Sequence, residues 1–246
     1  MPTQITYVGH ATVLAELDGT RLLTDPFLRS GLGPLRRHGP APAAAASERI
    51  DAVLVSHLHR DHADLRSLRL LGGGTRLLVP AGTGRFFARR GFRDVEELVR
   101  GESRRVGGIT VTAIETIHEA GRRSKAAAIG FFLSGSRTVY FAGDTDLFDG
   151  MRELRGVDLA LLPIWGWGPS LGPGHLDPQR AARAAALIEP RVVVPIHWGT
   201  LYPRLLERLR PGPLSNPPRE LATWMRKLAP QSELRTLAPG ESTSLT

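Results

Sequence analysis

The segment Ile50-Asp51-Ala52-Val53-Leu54-Val55-Ser56-His57-Leu58-His59-Arg60-Asp61-His62 decides how the rest of the chain is read. Its first half is β-branched and almost uninterruptedly apolar, the pattern of a strand buried on both faces, and His57 begins where that run ends. Side chains alternate along extended backbone, so His57 and His59 share a direction, while Asp61 and His62 fall where the chain turns toward the next element. Four groups able to bind a metal thus lie within six residues. Neutral imidazole and carboxylate suit zinc and neighbouring divalent ions. A lone histidine is ordinarily a satisfied or exposed residue; this cluster at the mouth of a buried strand points instead to a metal centre.

The same placement recurs downstream. His118 follows the strand-like run Gly108 to Ile114, Asp144 follows a hairpin formed by Ala128 to Leu133 and Thr138 to Ala142, and His197 ends the apolar run Arg191 to Ile196. HxHxDH at a strand end, followed in order by Thr116-Ile117-His118, Phe141-Ala142-Gly143-Asp144-Thr145 and Pro195-Ile196-His197-Trp198-Gly199, resembles the signature of the metallo-β-lactamase superfamily over nearly the whole chain. Gly9-His10-Ala11-Thr12, Thr24-Asp25-Pro26 and Gly174-His175-Leu176-Asp177-Pro178 look most like one group within it, that of the ascorbate-6-phosphate lactonases and the N-acyl-phosphatidylethanolamine phospholipase D-like hydrolases.

The resemblance implies an α/β fold, a four-layer αββα sandwich, formed as one domain over residues 1–246. It also implies a binuclear centre. His57, His59 and His118 would hold one divalent ion, Asp61, His62 and His197 a second, and Asp144 would bridge them, with zinc expected and manganese or iron also compatible. Two ions about 3.5–4 Å apart would share one water, ionise it near neutral pH and set the resulting hydroxide against a carbonyl carbon or a phosphorus. Asp61 would orient that nucleophile, and His175, with His10 in reserve, would serve the leaving group. Asp25 resembles the superfamily's supporting carboxylate, which works by hydrogen bonds without binding metal. Members that hydrolyse β-lactams commonly lack the Asp144 ligand or use cysteine there, and the oxygen-reducing di-iron branch carries glutamate where His59 stands. Antibiotic hydrolysis and redox chemistry are both disfavoured.

Composition adds limits. The chain of 246 residues has no cysteine, which excludes thiolate ligands and disulfides. No segment approaches eighteen consecutive apolar residues, so no integral membrane segment is expected, and Met1-Pro2-Thr3-Gln4 runs directly into a strand, which makes cytoplasm the expected compartment. The net charge of +8 invites a nucleic-acid partner. However, lysine occurs only at Lys125 and Lys227, so 30 of the 32 basic residues are arginine, a skew that codon bias in a GC-rich genome produces. A small anionic substrate is preferred over nucleic acid, and the sequence carries no oligomer signature.

Specific candidates for substrate contact are Arg36 and Arg37, in the long Gly-, Pro- and Arg-rich stretch from Phe27 to Ser47 expected to lie over the pocket as a loop; Arg122 and Arg123, in the basic segment after His118; and Trp165 and Trp167, between glycines after the Val157 to Leu162 strand. Helices are expected from Asp64 to Leu71, from Thr83 to Arg90, from Gln179 to Ile188 with Asp177 as cap and Pro178 at its first position, from Pro203 to Leu209, and from Arg219 to Leu228. The function expected is metal-dependent hydrolysis of a phosphodiester, lactone or other ester-like bond. The alternatives are a nuclease or RNA-processing enzyme on the same centre, and a non-catalytic binding protein on a degenerate hydrolase fold.

Overall fold

The computed structural model describes residues 3–118 and 128–246. The first half contains β1 (Thr3–Gly9), β2 (Thr12–Leu17), β3 (Thr20–Thr24), β4 (Gly31–Leu32), β5 (Leu35–Arg37), β6 (Ala52–Leu54), α1 (Leu65–Leu70), β7 (Leu77–Pro80), α2 (Gly84–Ala88) and β8 (Val95–Leu98). The second contains β9 (Ser103–Val106), β10 (Ile109–Glu115), β11 (Ile129–Ser134), β12 (Thr138–Phe141), β13 (Leu159–Pro163), α3 (Pro178–Ile188), β14 (Val192–Ile196), β15 (Leu201–Pro203), α4 (Asn216–Leu228), β16 (Glu233–Leu234) and β17 (Ser242–Leu245).

These strands form two seven-stranded sheets, in the orders β17-β1-β2-β3-β6-β7-β8 and β16-β14-β13-β12-β11-β10-β9. Each joins an antiparallel meander to parallel strands. Parallel neighbours need crossovers, and α1 to α4 lie in those from β6 to β7, β7 to β8, β13 to β14 and β14 to β16. The fold is a four-layer αββα sandwich, as the apolar runs require: a strand covered on both faces has no polar side. Along β6 and into Val55, Ala52 and Leu54 enter the core between the sheets, while Val53 and Val55 enter the layer under the first pair of helices with Leu68 and Phe87. On β13, Leu159 and Leu161 face the opposite sheet, and Ala160 and Leu162 face Ala181, Ala185, Leu221 and Met225 of α3 and α4.

The helix signals behave as chemistry dictates. Asp177 accepts from the Arg180 backbone N–H at 2.8 Å and Pro178 occupies the first turn of α3; Asp64 accepts from the Ser67 N–H at 2.9 Å and caps α1 in the same way. Two expectations need correction. The stretch from Phe27 to Ser47 is not a structureless loop, since β4 and β5 pair with each other and β5 with β15 in a small third sheet. Residues 204–209 form turns instead of a helix; Leu205 and Leu209 are 86% and 78% exposed, and a short apolar repeat with nothing to pack against does not hold a helix.

Arg37 locks that third sheet to the rest. Buried at 7% exposure, its guanidinium donates to the carbonyls of Arg29 at 3.0 Å, Val8 at 3.2 Å and Phe27. Removing it leaves three inward carbonyls without donors. Arg37→Ala is therefore expected to lower stability by about 2–4 kcal/mol in a chemical denaturation experiment, and Arg37→Lys to recover little of it because one ammonium cannot reach three divergent acceptors. Wild-type stability in Arg37→Ala would contradict this structural assignment.

Candidate metal centre

All the ligand candidates stand at or just beyond strand ends on one edge of the sandwich. Asp25 follows β3, His57 to His62 follow β6, His118 follows β10, Asp144 follows β12 and His197 follows β14, while His10 occupies the turn between β1 and β2. The backbone is held unusually there: His10, Asp25 and His197, with φ of 58°, 33° and 61°, are three of the six described non-glycine residues in the left-handed region. Such conformations cost of order 1–3 kcal/mol each and persist where the surroundings enforce them. Gly143, at φ 61°, is enforced differently, because a Cβ there would lie 2.8 Å from Ser56 Cβ. It lets the chain pass that close on its way to Asp144.

Proton positions on the rings follow from what surrounds them. His62 Nδ1 faces Asp25 Oδ2 at 2.8 Å, His197 Nδ1 faces the Trp165 carbonyl at 2.8 Å, and His118 Nδ1 faces the Gly174 carbonyl at 2.8 Å. Carboxylate and carbonyl oxygens only accept, so each Nδ1 carries a proton and Nε2 is the nitrogen whose lone pair is left for a metal. Ser56 Oγ spends its one proton on Asp25 at 2.6 Å and so accepts from His57 Nδ1 at 2.9 Å, which leaves His57 Nε2 in the same state.

Those lone pairs converge. His57 Nε2 and His118 Nε2 lie 2.8 and 3.3 Å from His59 Nδ1, and His62 Nε2 lies 3.0 Å from His197 Nε2. Asp144 Oδ2 is 3.2 Å from His62 Nε2 and 3.9 Å from His57 Nε2; its Oδ1, 3.4 Å from His197 Nε2, is buried without a hydrogen-bond partner. Asp61 Oδ2 lies 3.5 Å from His62 Nε2 and 3.7 Å from His197 Nε2. Three groups among the described residues could each hold a cation: His57, His59, His118 and Asp144; His10, Asp61, His62 and His197; and, sharing members with both, Asp25, His57 and His62.

The electrostatics call for positive charge at the same place. Burial disfavours a charged His62, yet Asp144, Asp61 and Asp25 outweigh it and hold its proton affinity well above that of ordinary histidine. Burial likewise opposes ionisation of Asp61 and Asp144, but the histidines facing them, chiefly His62 and His10 at Asp61 and His197 and His62 at Asp144, keep both carboxyls well below the usual range. His57, His59 and His118 are pushed down, chiefly by burial, into the neutral form that ligates. Opposed lone pairs, an orphaned buried carboxylate oxygen and an all nitrogen-and-oxygen donor set fit divalent metal.

A cavity of about 650 Å3 opens over this cluster, and His59, Asp61, Asp144, His175 and His197 line it. His175 reaches Asp144 Oδ2 with Nε2 at 3.5 Å and donates from Nδ1 to the Pro173 carbonyl at 3.0 Å; burial opposes its protonation, but Asp144 overrides it and raises its proton affinity. His10 does not reach the cavity. It is fully buried, bonded through Nε2 to Asp61 Oδ2 at 2.9 Å, and burial brings it down to about 3.

Of the substrate candidates, Trp167 lines the cavity, whereas Trp165 does not, its indole N–H donating to the Gly168 carbonyl at 3.0 Å. Arg36 is exposed and 3.7 Å from Glu207, and Arg37 is committed to backbone carbonyls. Arg122 and Arg123 lie outside the described residues. Sequence reasoning missed Arg60, which lines the cavity from within the histidine motif, and Leu32 to Leu35, supplied by the small third sheet. Its position between two candidate ligands was signal enough for Arg60; the two- and three-residue strands of the third sheet left none.

Residues 20–198 match the profile of the Beta-lactamase superfamily domain. The chain belongs to the β-lactamase superfamily. A superfamily relative named as a UPF0173 metal-dependent hydrolase, from Methanopyrus kandleri, is 33% identical over 97% of this chain and 98% of its own. An uncharacterized protein of Mycobacterium tuberculosis is 32% identical over 87% of this chain and 61% of its own length, so the chain spans about three fifths of the mycobacterial relatives it matches. The crystal structure of a possible metal-dependent hydrolase from Veillonella parvula shares the fold with a TM-score of 0.79 over 100% of both chains, at 18% identity.

Asp25 fixes the proton on His62 directly and that on His57 through Ser56. Asp25→Ala is accordingly expected to weaken metal retention by about 10- to 100-fold, read by competition with a chromophoric chelator. Unchanged retention would show that the carboxylate does not orient the ligands.

Proposed function

We propose that this chain is a binuclear metal-dependent hydrolase that cleaves an ester-like bond (a carboxylic ester, a lactone or a phosphodiester) in a small anionic substrate. The observation that carries this reading is the set of Nε2 lone pairs turned on one another, with the partnerless Asp144 Oδ1 among them, at the floor of a cavity. In it, His57, His59 and His118 hold one divalent ion, Asp61, His62 and His197 hold the other, and Asp144 is shared. Zinc is the first expectation, and manganese or iron suit the same donors. Bound cations would supply hydroxide at neutral pH and offset the negative charge that develops on the attacked group.

The chain's own side chains do the remaining work. Asp61, held through Oδ2 by the His10 ring N–H, orients the attacking oxygen and accepts its hydrogen bond. His10, shut off from the cavity, acts only through Asp61. His175 stands on the cavity wall with its Nε2 beside Asp144 and delivers a proton to the departing oxygen. One oxygen–carbon or oxygen–phosphorus bond forms as the ester bond breaks, and that proton ends on the alcohol released. The apolar part of the lining suits a small molecule better than a nucleic-acid backbone.

The test is hydrolysis of p-nitrophenyl butyrate and bis(p-nitrophenyl) phosphate by metal-loaded protein. Chelation is expected to abolish turnover of at least one, and added metal to restore it. Asp144→Ala should lower kcat/KM by about 1,000-fold, and His175→Ala by about 100-fold, mainly through kcat. Turnover indifferent to chelation and to Asp144→Ala would sink the reading.

A further inference from the structure

The cavity is divided in its chemistry. Besides the histidines and carboxylates, its lining includes Leu32, Leu35, Trp167, Pro169 and Leu171 together with several glycines, and Trp167 is left 44% exposed. Arg60 is the only lysine or arginine among the described residues that line it. It is exposed, and it makes no hydrogen bond or ion pair with another described residue.

The carboxylates nearest to it in sequence are already committed. Asp61 is bonded to His10 at 2.9 Å, and Asp64 accepts from Arg29 Nε and Nη2 at 2.8 and 2.7 Å while capping α1. On its other side Arg60 borders a second recess that holds the exposed Arg66 and Arg69. Among the described residues, then, no carboxylate pairs with Arg60, and Arg66 and Arg69 add positive charge on its other side. A free guanidinium next to an apolar wall is suited to a substrate with two parts, because its planar array of donors binds an oxyanion while leaving the wall to an apolar body.

We propose that Arg60 anchors the anionic group of the substrate, a carboxylate or a phosphate, and that the substrate is an amphiphilic acid ester whose apolar chain or ring lies against Trp167 and Leu171. This rests on the hydrolase reading above and deepens it, by naming what is recognised and by which residue. The described arginine pair that stands out by clustering does not serve: Arg36 lies beside Glu207, and Arg37 holds the third sheet in place.

Two comparisons test it. In the first, p-nitrophenyl butyrate is set against mono-p-nitrophenyl glutarate, which carries a terminal carboxylate, and against the p-nitrophenyl ester of 4-phosphonobutyric acid. The wild type is expected to prefer an acid-ended ester, the larger preference naming carboxylate or phosphate as the anion. Arg60→Ala should cut that preference about tenfold through KM with metal content retained, Arg60→Lys should restore part of it, and Arg36→Ala should leave it alone. An unaltered preference in Arg60→Ala, or an equal fall in Arg36→Ala, overturns the anchor.

The second comparison needs no turnover, and so separates failure of the anchor from failure of the hydrolase reading. Calorimetry on metal-loaded protein compares 1-naphthalenesulfonate, an anion that coordinates metal poorly, with 1-naphthalenemethanol. The wild type is expected to favour the sulfonate, and Arg60→Ala to lose about tenfold of that preference. If no ester is hydrolysed but this loss is seen, the anchor stands and the hydrolase reading fails. If the sulfonate is not favoured, or the preference survives Arg60→Ala, the anchor fails; if neither naphthalene compound binds, the apolar subsite fails with it.

Discussion

The carboxylate of Asp25, wholly buried where β3 ends, accepts from the Ser56 backbone N–H at 2.7 Å, the Ser56 hydroxyl at 2.6 Å and His62 Nδ1 at 2.8 Å. Those bonds tie the ends of two neighbouring parallel strands together and, in the same stroke, fix which nitrogen of two histidines carries a proton. The rest of the site inherits that decision. With the Nδ1 protons spent on oxygen acceptors, the Nε2 lone pairs have only one another and the Asp144 and Asp61 carboxylates to face. Positive charge in the middle of such an interior offsets the cost of burying its carboxylates. The left-handed backbone at His10, Asp25 and His197 shows the frame being bent to bring these groups together.

The frame itself is ordinary physics. Strands apolar on both faces demand two covered sheets, and parallel strands demand helical crossovers, so the carboxyl ends of the parallel strands open on a common edge. Ligands at those ends come from segments far apart in sequence, His62 and His197 among them, yet meet within 3.0 Å. No single loop has to hold the constellation.

Much of this is legible in the amino-acid sequence itself. Uninterrupted apolar runs mark β6, β13 and β14, and histidine or aspartate placed just beyond such runs marks the candidate ligands; Asp177-Pro178 marks the start of α3. What escapes a reading of the sequence is set by contacts that leave no periodic trace. Strands as short as β4 and β5 cannot show alternation, and the leucines of residues 204–209 have helical spacing with no surface to bury against. Arginines are hardest. Arg37 and Arg60 look alike in a sequence this rich in arginine, but one guanidinium is used up on backbone carbonyls and the other faces the cavity.

The central claim is that two cations sit among these opposed lone pairs. Diffraction from crystals of the metal-loaded protein, recorded on both sides of the absorption edge of the bound metal, tests it most directly. The account predicts two anomalous peaks, one within bonding distance of His57, His59 and His118 and the other of Asp61, His62 and His197, with Asp144 touching both. A single peak, or none at these residues under metal-replete conditions, would contradict it.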